Sequence, residues 1–238
     1  MLDDLDPLDH RDLMERRLPT LYRLDAADRP LAVNEAGGPP APRLVIGRTL
    51  AGTIWRFRHD LPVDVARAID ELLAAEPPPR DLREPPRALA RVQAILAAQA
   101  PVTRVWFGPA WYCPAHLAPP GTIAPRPVTD GADLARTFPD LAPEVAARQP
   151  CLAVWEGGAI VAVCFSSRNG ASAAEAGVAT LAPFRGRGYA AAAVAAWAAA
   201  VRRTDRLPLY STSWDNLASQ GVARKLGLVL YGADLSIA

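Results

Sequence analysis

Beyond residue 121 the apolar and polar positions settle into a regular succession of short elements. Apolar runs at 152–155 and 159–165 flank Gly157 and Gly158, the signature of a tight hairpin. Residues 174–181 read as another strand, and an alanine-rich run to Arg203 as a long helix. A strand at 209–212, a helix over 216–226 and the start of a last strand at 228–230 follow. Ahead of these, 121–128 can serve only as an edge strand, because Pro125 and Pro127 lack ladder donors. Two short helical pieces occupy 133–138 and 141–148, so the order from 121 is β-α-α-β-β-β-α-β-α-β.

The first half has a different texture. Residues 1–40 are polar and Pro/Gly-rich, closing on Gly37-Gly38-Pro39-Pro40, and carry no assigned element. Strands are predicted at 44–46 and 53–57, with Gly47 and Gly52 near the turn between them. A helix is predicted over 63–75, with Pro62 at its first turn and prolines 77–79 past its end. It sets Val65, Ile69 and Leu72 against Asp64, Asp70 and Glu71. A second helix at 88–98, a strand at 102–107 and a proline-bearing loop over 111–121 complete this half. There is no internal repeat. The change near residue 120 predicts a smaller mixed α/β region at 1–120 and a second domain at 121–238.

Composition removes several function classes. The chain has 238 residues, half of them hydrophobic, and a formal net charge of +1. That balance gives no electrostatic footprint for nucleic acid or an anionic membrane. Nearly all the basic residues are arginine, and Lys225 is the only lysine. The arginine, alanine and proline bias fits a GC-rich genome, so such runs carry less information here. Cys113, Cys151 and Cys164 are too few and scattered for a disulfide framework or a CxxC zinc site, and no metal is expected. His10, His59 and His116 have no metal spacing. The acidic start lacks the apolar core of a signal peptide, and no apolar run reaches the roughly 20 residues of a membrane span. A soluble cytoplasmic protein is the expectation.

The most informative segment is Pro183-Phe-Arg-Gly-Arg-Gly-Tyr-Ala190, which opens the long helix. Gly186 and Gly188 let the main chain present successive N–H groups to one spot. The helix start adds unpartnered N–H groups and partial positive charge, while Arg185 and Arg187 add formal charge. The pattern is that of a pyrophosphate cradle.

This order of elements, with Arg185-x-x-Gly188-x-Ala190 before the helix, resembles the GNAT superfamily of acetyl-CoA-dependent N-acetyltransferases, whose signature is Arg/Gln-x-x-Gly-x-Gly/Ala. A second block, Trp214-Asp-Asn216-Leu-Ala-Ser219 through Lys225-Leu-Gly227-Leu, is similar to the family's later helix. The resemblance covers roughly 121–238. It implies an α/β (α+β) fold: a mixed, mostly antiparallel twisted sheet with splayed central strands and flanking helices. It implies acetyl-CoA as co-substrate, with Arg185, Gly186, Arg187, Gly188, Tyr189 and Ala190 around the pyrophosphate. Val178 and Thr180 would offer main-chain groups to the thioester end, with Gly177 allowing a bulge or close backbone approach. An N–H near Val178 would stabilise the oxyanion. Asn216 would cap its helix and lie near the pantetheine arm.

Glu175 is the candidate general base, set against a solvated strand-end glutamate. Ser219 is the candidate acid toward the CoA thiolate, set against a first-turn serine bonding backbone. By the family alignment a tyrosine is common where this chain has Ala223, and Tyr231 is a further donor candidate. The aromatic residues Trp106, Phe107, Trp111 and Tyr112 could wall a substrate pocket or line a seam between the halves. The expected function is direct transfer of acetyl from acetyl-CoA to a primary amine on a small molecule or peptide. The alternative is a CoA-binding sensor with little or no turnover. Residues 1–120 would cover the acceptor side or act as an oligomerisation arm, giving a homodimer.

Overall fold

The computed structural model describes residues 9–35, 37–117 and 121–238. They form two compact units. The turn unit comprises Trp111–Ser211 and Asn216–Val229, and the N-terminal unit comprises 9–110, Thr212–Asp215 and Leu230–Ala238. Two later segments, Thr212–Asp215 and Leu230–Ala238, thus group with the N-terminal residues.

The N-terminal unit begins with α1 (His10–Leu21), β1 (Tyr22–Leu24), β2 (Pro30–Val33), β3 (Leu44–Thr49), β4 (Gly52–Phe57), α2 (Val63–Ala74) and α3 (Leu89–Gln99). β5 (Val105–Tyr112) carries the chain into the turn unit. There follow β6 (Arg126–Pro127), β7 (Cys151–Glu156), β8 (Ala159–Asn169), β9 (Ala173–Thr180), α4 (Tyr189–Arg202), β10 (Leu207–Ser211) and α5 (Leu217–Lys225). β11 (Val229–Ile237) returns to the N-terminal unit.

In the N-terminal unit the strand order is β4-β3-β11-β5. β3 pairs antiparallel with both β4 and β11, placing Ile46 beside Leu235 and Gly47 beside Asp234. Strand alternation then sorts the faces. Leu44, Ile46, Leu235 and Ile237 pack with Ile69 and Leu73 of α2 and Val92 and Leu96 of α3. The opposite face receives α1. A Cβ on Gly47 would lie 2.3 Å from Met14, and one on Gly232 2.4 Å from it. Gly47 thus sits inside a strand where a helix approaches closely, not at the turn as its spacing predicts. The buried Arg17 of α1 donates to Asp234 at 2.5 Å. That pair explains why 1–40 conceals a helix: a charged residue occupies a buried position, so the apolar stripe is broken.

In the turn unit the order is β10-β9-β8-β7-β6, antiparallel from β9 to β6 and parallel between β9 and β10. A parallel pair needs a crossover, and α4 provides it. The hairpin between β7 and β8 has Gly157 and Gly158 at φ +57° and +75°, as a two-residue type I′ turn requires. Alanine is the best helix former and the smallest side chain with a Cβ, so α4 can lie close against the sheet. Ala191, Ala193, Val194 and Ala198 pack with Ala162, Cys164 and Ala174 on one face. The fully buried Trp197 fills the remaining volume, and its indole N–H donates to Ser166 Oγ at 3.2 Å. The other face carries Val163, Leu134, Leu141 and Val145.

Four predicted elements change their bounds. β5 runs on through Trp111 and Tyr112, which the sequence assigns to a loop. Gly108 lies within this strand, where a Cβ would strike the Thr212 carbonyl. The pieces at 133–138 and 141–148 are shorter 3-10 turns, Gly131–Asp133 and Ala142–Glu144, the second with Pro143 inside it. β8 extends to Asn169 across a register shift between Ser166 and Arg168, so the irregularity lies on β8 and not at Gly177. A Cβ on Gly177 would instead meet the Phe165 ring at 2.6 Å. Among the described residues no helix is long and apolar enough to cross a membrane.

Candidate functional site

The site begins where two strands part. β9 and β10 pair from Ala173/Leu207 only as far as Glu175/Leu209, although β9 continues to Thr180 and β10 to Ser211. On the β8 side the Leu181 N–H bonds the Val161 carbonyl, which are opposed residues in the antiparallel register. Hydrogen-bonded pairs alternate along such a ladder, so Ala179 and Gly177 also face β8. The peptide groups of Val178 and Thr180 therefore point the other way, into the gap beyond Glu175. Arg185 Nε donates to the Thr180 carbonyl at 3.3 Å, which fits that orientation.

The turn between β9 and α4 forms the next wall. Gly186 and Gly188 have φ of +79° and +87°, a region that favours glycine. A Cβ on Gly186 would meet no atom within 4 Å. The glycine is thus required by backbone angle, and the space beside it is open. Gly188 caps α4 with its backbone alone; no side chain accepts from the first-turn N–H groups. The first helical bond runs from the Ala192 N–H to the Gly188 carbonyl, leaving the donors before it without helical partners. Tyr189 and Ala190 open the helix into a cavity of about 650 Å³, which Val178, Thr180, Arg185, Gly186 and Gly188 also line.

α5 closes the opposite side with Asn216, Ser219 and Lys225. Asn216 caps α5, its Oδ1 accepting from the Ser219 N–H at 3.0 Å. Lys225 is the residue the sequence reading missed. A Cβ on Gly188 would lie 3.2 Å from its Nζ, so the sole lysine reaches the mouth of α4. Its signal was present: a single lysine, in the last turn of the second motif helix, in a chain otherwise restricted to arginine. If the cavity takes CoA, as the sequence resemblance implies, Lys225→Ala is expected to weaken its binding by roughly two- to fivefold, the scale of one solvent-exposed charge pair. Titration calorimetry at two salt concentrations checks this, and unchanged affinity at low salt would remove Lys225 from the site.

Two predicted residues stand apart from the cavity lining. Arg187 is half exposed, pairs with Glu156 at 3.3 Å and lies 5.2 Å over the Phe184 ring. Glu156 also accepts from the Tyr189 hydroxyl, which holds that phenol above its ordinary pKa. Exposed pairs of this kind contribute about 1 kcal/mol or less, so an anion at the turn could draw Arg187 away. Glu175 is only 4% exposed, and its Oε1 accepts from Ser211 Oγ at 2.6 Å. It sits at the last paired position, where the strands begin to part, and is buried instead of solvated at a strand end.

Tyr231 is fully buried within the N-terminal unit. Phe107 meets Trp214 edge-on in that same unit, while Trp111 packs on Tyr210 in the turn unit. Burial pushes the Cys113 thiol up to about 12 and the Cys151 thiol up to about 11, and raises Cys164 well above its ordinary value. None of the three lines the cavity. Among the described residues no group of His, Cys, Asp or Glu is placed to hold a metal ion.

Residues 147–233, which contain the splayed strands, the glycine turn and α5, match the family model described as GNAT acetyltransferase. Solved structures with similar folds include a GCN5-related N-acetyltransferase from Kribbella flavida (17% identity, 98% of this chain, 96% of that one, TM-score 0.49). Another is a GNAT-family acetyltransferase from Colwellia psychrerythraea (11% identity, 98% and 97%, TM-score 0.48). A GNAT-family protein from Novosphingobium aromaticivorans aligns at 19% identity over 57% of this chain, which spans 65% of that protein's length (TM-score 0.46). No curated protein matches the chain. Because these structural likenesses are distant, the assignment rests on the sequence match and on the site. Residues 147–233 thus carry the GNAT acetyltransferase match, and acyl transfer is the activity that match implies.

Proposed function

We propose that the turn unit transfers an acetyl group from acetyl-CoA to a primary amine. One observation carries this reading: the α4 N-terminus has no side-chain cap and opens, past two glycines, into a cavity whose far end is unpaired β9 backbone. A diphosphate suits the first part, because charge-assisted hydrogen bonds to backbone N–H groups contribute about 1.5–3 kcal/mol each. An extended arm with two amides suits the second, since it can pair with β9 as the absent strand would. Arg185 and Lys225 would neutralise the phosphates, and the Val178 N–H would face the developing oxyanion.

The acceptor has its own route in this reading. A second cavity of about 430 Å³ opens on the sheet face opposite α4, floored by Val163, Phe165 and Ala179, with Asp140 and Glu144 at its rim. Ala179 borders both cavities. An amine could approach from there and lose its proton to Glu175 through Ser211 or water. The buried, strongly raised thiols are poor nucleophiles, which favours direct transfer over a covalent enzyme intermediate.

The test is acetyl-CoA binding by calorimetry, followed by CoA thiol release with amino acids, polyamines, aminoglycosides and peptide amines. Micromolar binding with release on one amine class is the expected result; no binding would refute the reading. Burial of Glu175 favours a second reading, a CoA sensor without turnover. Binding with no release across the whole panel would support it.

A further inference from the structure

This inference rests on the acyl-transfer reading above. Tyr210 follows the last paired residue of β10, and its ring is 1% exposed. The ring is held against Trp111 with centroids 5.9 Å apart. Its Oη lies 2.5 Å from Ser219 Oγ and 3.2 Å from the Ser219 carbonyl oxygen. Ser219 is also fixed through its N–H by Asn216. The serine that faces the cavity is therefore gripped from behind at three atoms. Ala223, where the family resemblance leads one to look for a tyrosine, is fully buried in the same cluster as Tyr210.

A phenol has one proton to give. Desolvation raises the Tyr210 pKa, so the hydroxyl stays protonated through the neutral range. Of its two partners Ser219 Oγ is the nearer, and either oxygen of that pair can donate. An Oγ that accepts from behind must direct its own hydrogen elsewhere, and Ser219 lines the cavity. We propose that Tyr210 donates to Ser219 Oγ and so is a positioning residue that aims the Ser219 hydroxyl hydrogen into the cavity, toward the sulfur of departing CoA. The carbon–sulfur bond breaks with its electron pair passing to sulfur. Ser219 donates a hydrogen bond to that charge and keeps its proton, and the surplus proton on nitrogen leaves through the base or solvent. A free thiol pKa of about 8.5 means no full proton transfer is needed.

The test reads the thiol pKa of CoA bound to the enzyme, by thiolate ultraviolet absorbance, alongside steady-state kinetics. Ser219→Ala is expected to raise that pKa by about one unit, and Tyr210→Phe by at least about half as much. The double variant should match Ser219→Ala alone, because both act through one hydrogen bond. Ser219→Thr, which keeps a hydroxyl, should stay near the wild type. Tyr210→Phe should lower kcat roughly tenfold with KM for acetyl-CoA within about twofold. A wild-type thiol pKa in Tyr210→Phe, or additive shifts in the double variant, would overturn the proposal while leaving the cradle standing. Failure of wild-type protein to bind CoA would sink both. Should Tyr210→Phe not fold, the Tyr210 hydroxyl proton in wild-type protein serves instead. A slowly exchanging resonance that moves in Ser219→Ala supports the contact, and one that does not move overturns it.

Discussion

Replacing Gly188 with tryptophan is expected to abolish acetyl-CoA binding while leaving the chain folded. Gly188 holds φ at +87°, so any side chain costs roughly 1–2 kcal/mol of backbone strain. That is a tolerable share of a typical stability of about 5–15 kcal/mol. The indole, however, would stand in the space where the uncapped α4 donors open, beside Lys225 Nζ. Loss of two charge-assisted hydrogen bonds, at about 1.5–3 kcal/mol each, lowers affinity by more than about 100-fold. Calorimetry against CoA, with thermal denaturation as the folding control, measures both quantities. Gly186→Ala is the graded companion, because its Cβ would meet only open space and the φ there is +79°. Its binding loss should be smaller. Undiminished CoA affinity in Gly188→Trp would mean that the helix mouth is not where the diphosphate sits.

The second large effect is expected in turnover and not in binding. Glu175→Gln should lower kcat by roughly 10²–10³-fold, the range of a positioned general base, with CoA affinity within about threefold. Glutamine keeps the shape and can still accept from Ser211, so packing around the buried site is preserved. Ser211→Ala separates the proton path from the base itself. If Ser211 conducts the proton, its removal also lowers kcat; if water does, only the glutamate variant is affected. Full activity of Glu175→Gln from about pH 6 to about pH 9 would take the residue out of the mechanism.

Much of the turn unit could be read along the chain because its determinants are local. Gly157-Gly158 forces a hairpin, and prolines at 125 and 127 hold their segment to the end of the sheet. Gly186 and Gly188 announce a positive-φ turn, and the alanine run announces a helix. Each signal lies within a few residues of the structure it produces. The N-terminal unit yields less. Its first helix hides behind Arg17, whose buried position makes sense only with Asp234, far along the chain. Gly47 looks like a turn residue, yet it answers a close approach by α1.

The site divides along the same line. By itself the sequence determined the positive-φ glycine turn that opens α4 and Asn216 as a helix cap, because backbone angles and helix-end donors depend on adjacent residues. Only tertiary structure decided that β9 and β10 part beyond Glu175, that Glu175 is buried against Ser211, and that Arg187 turns to Glu156. It also decided that Lys225 reaches Gly188 and Tyr210 backs Ser219. Those contacts depend on where strands and helices cross, which is set by packing of side chains remote in sequence. No short-range pattern records such crossings.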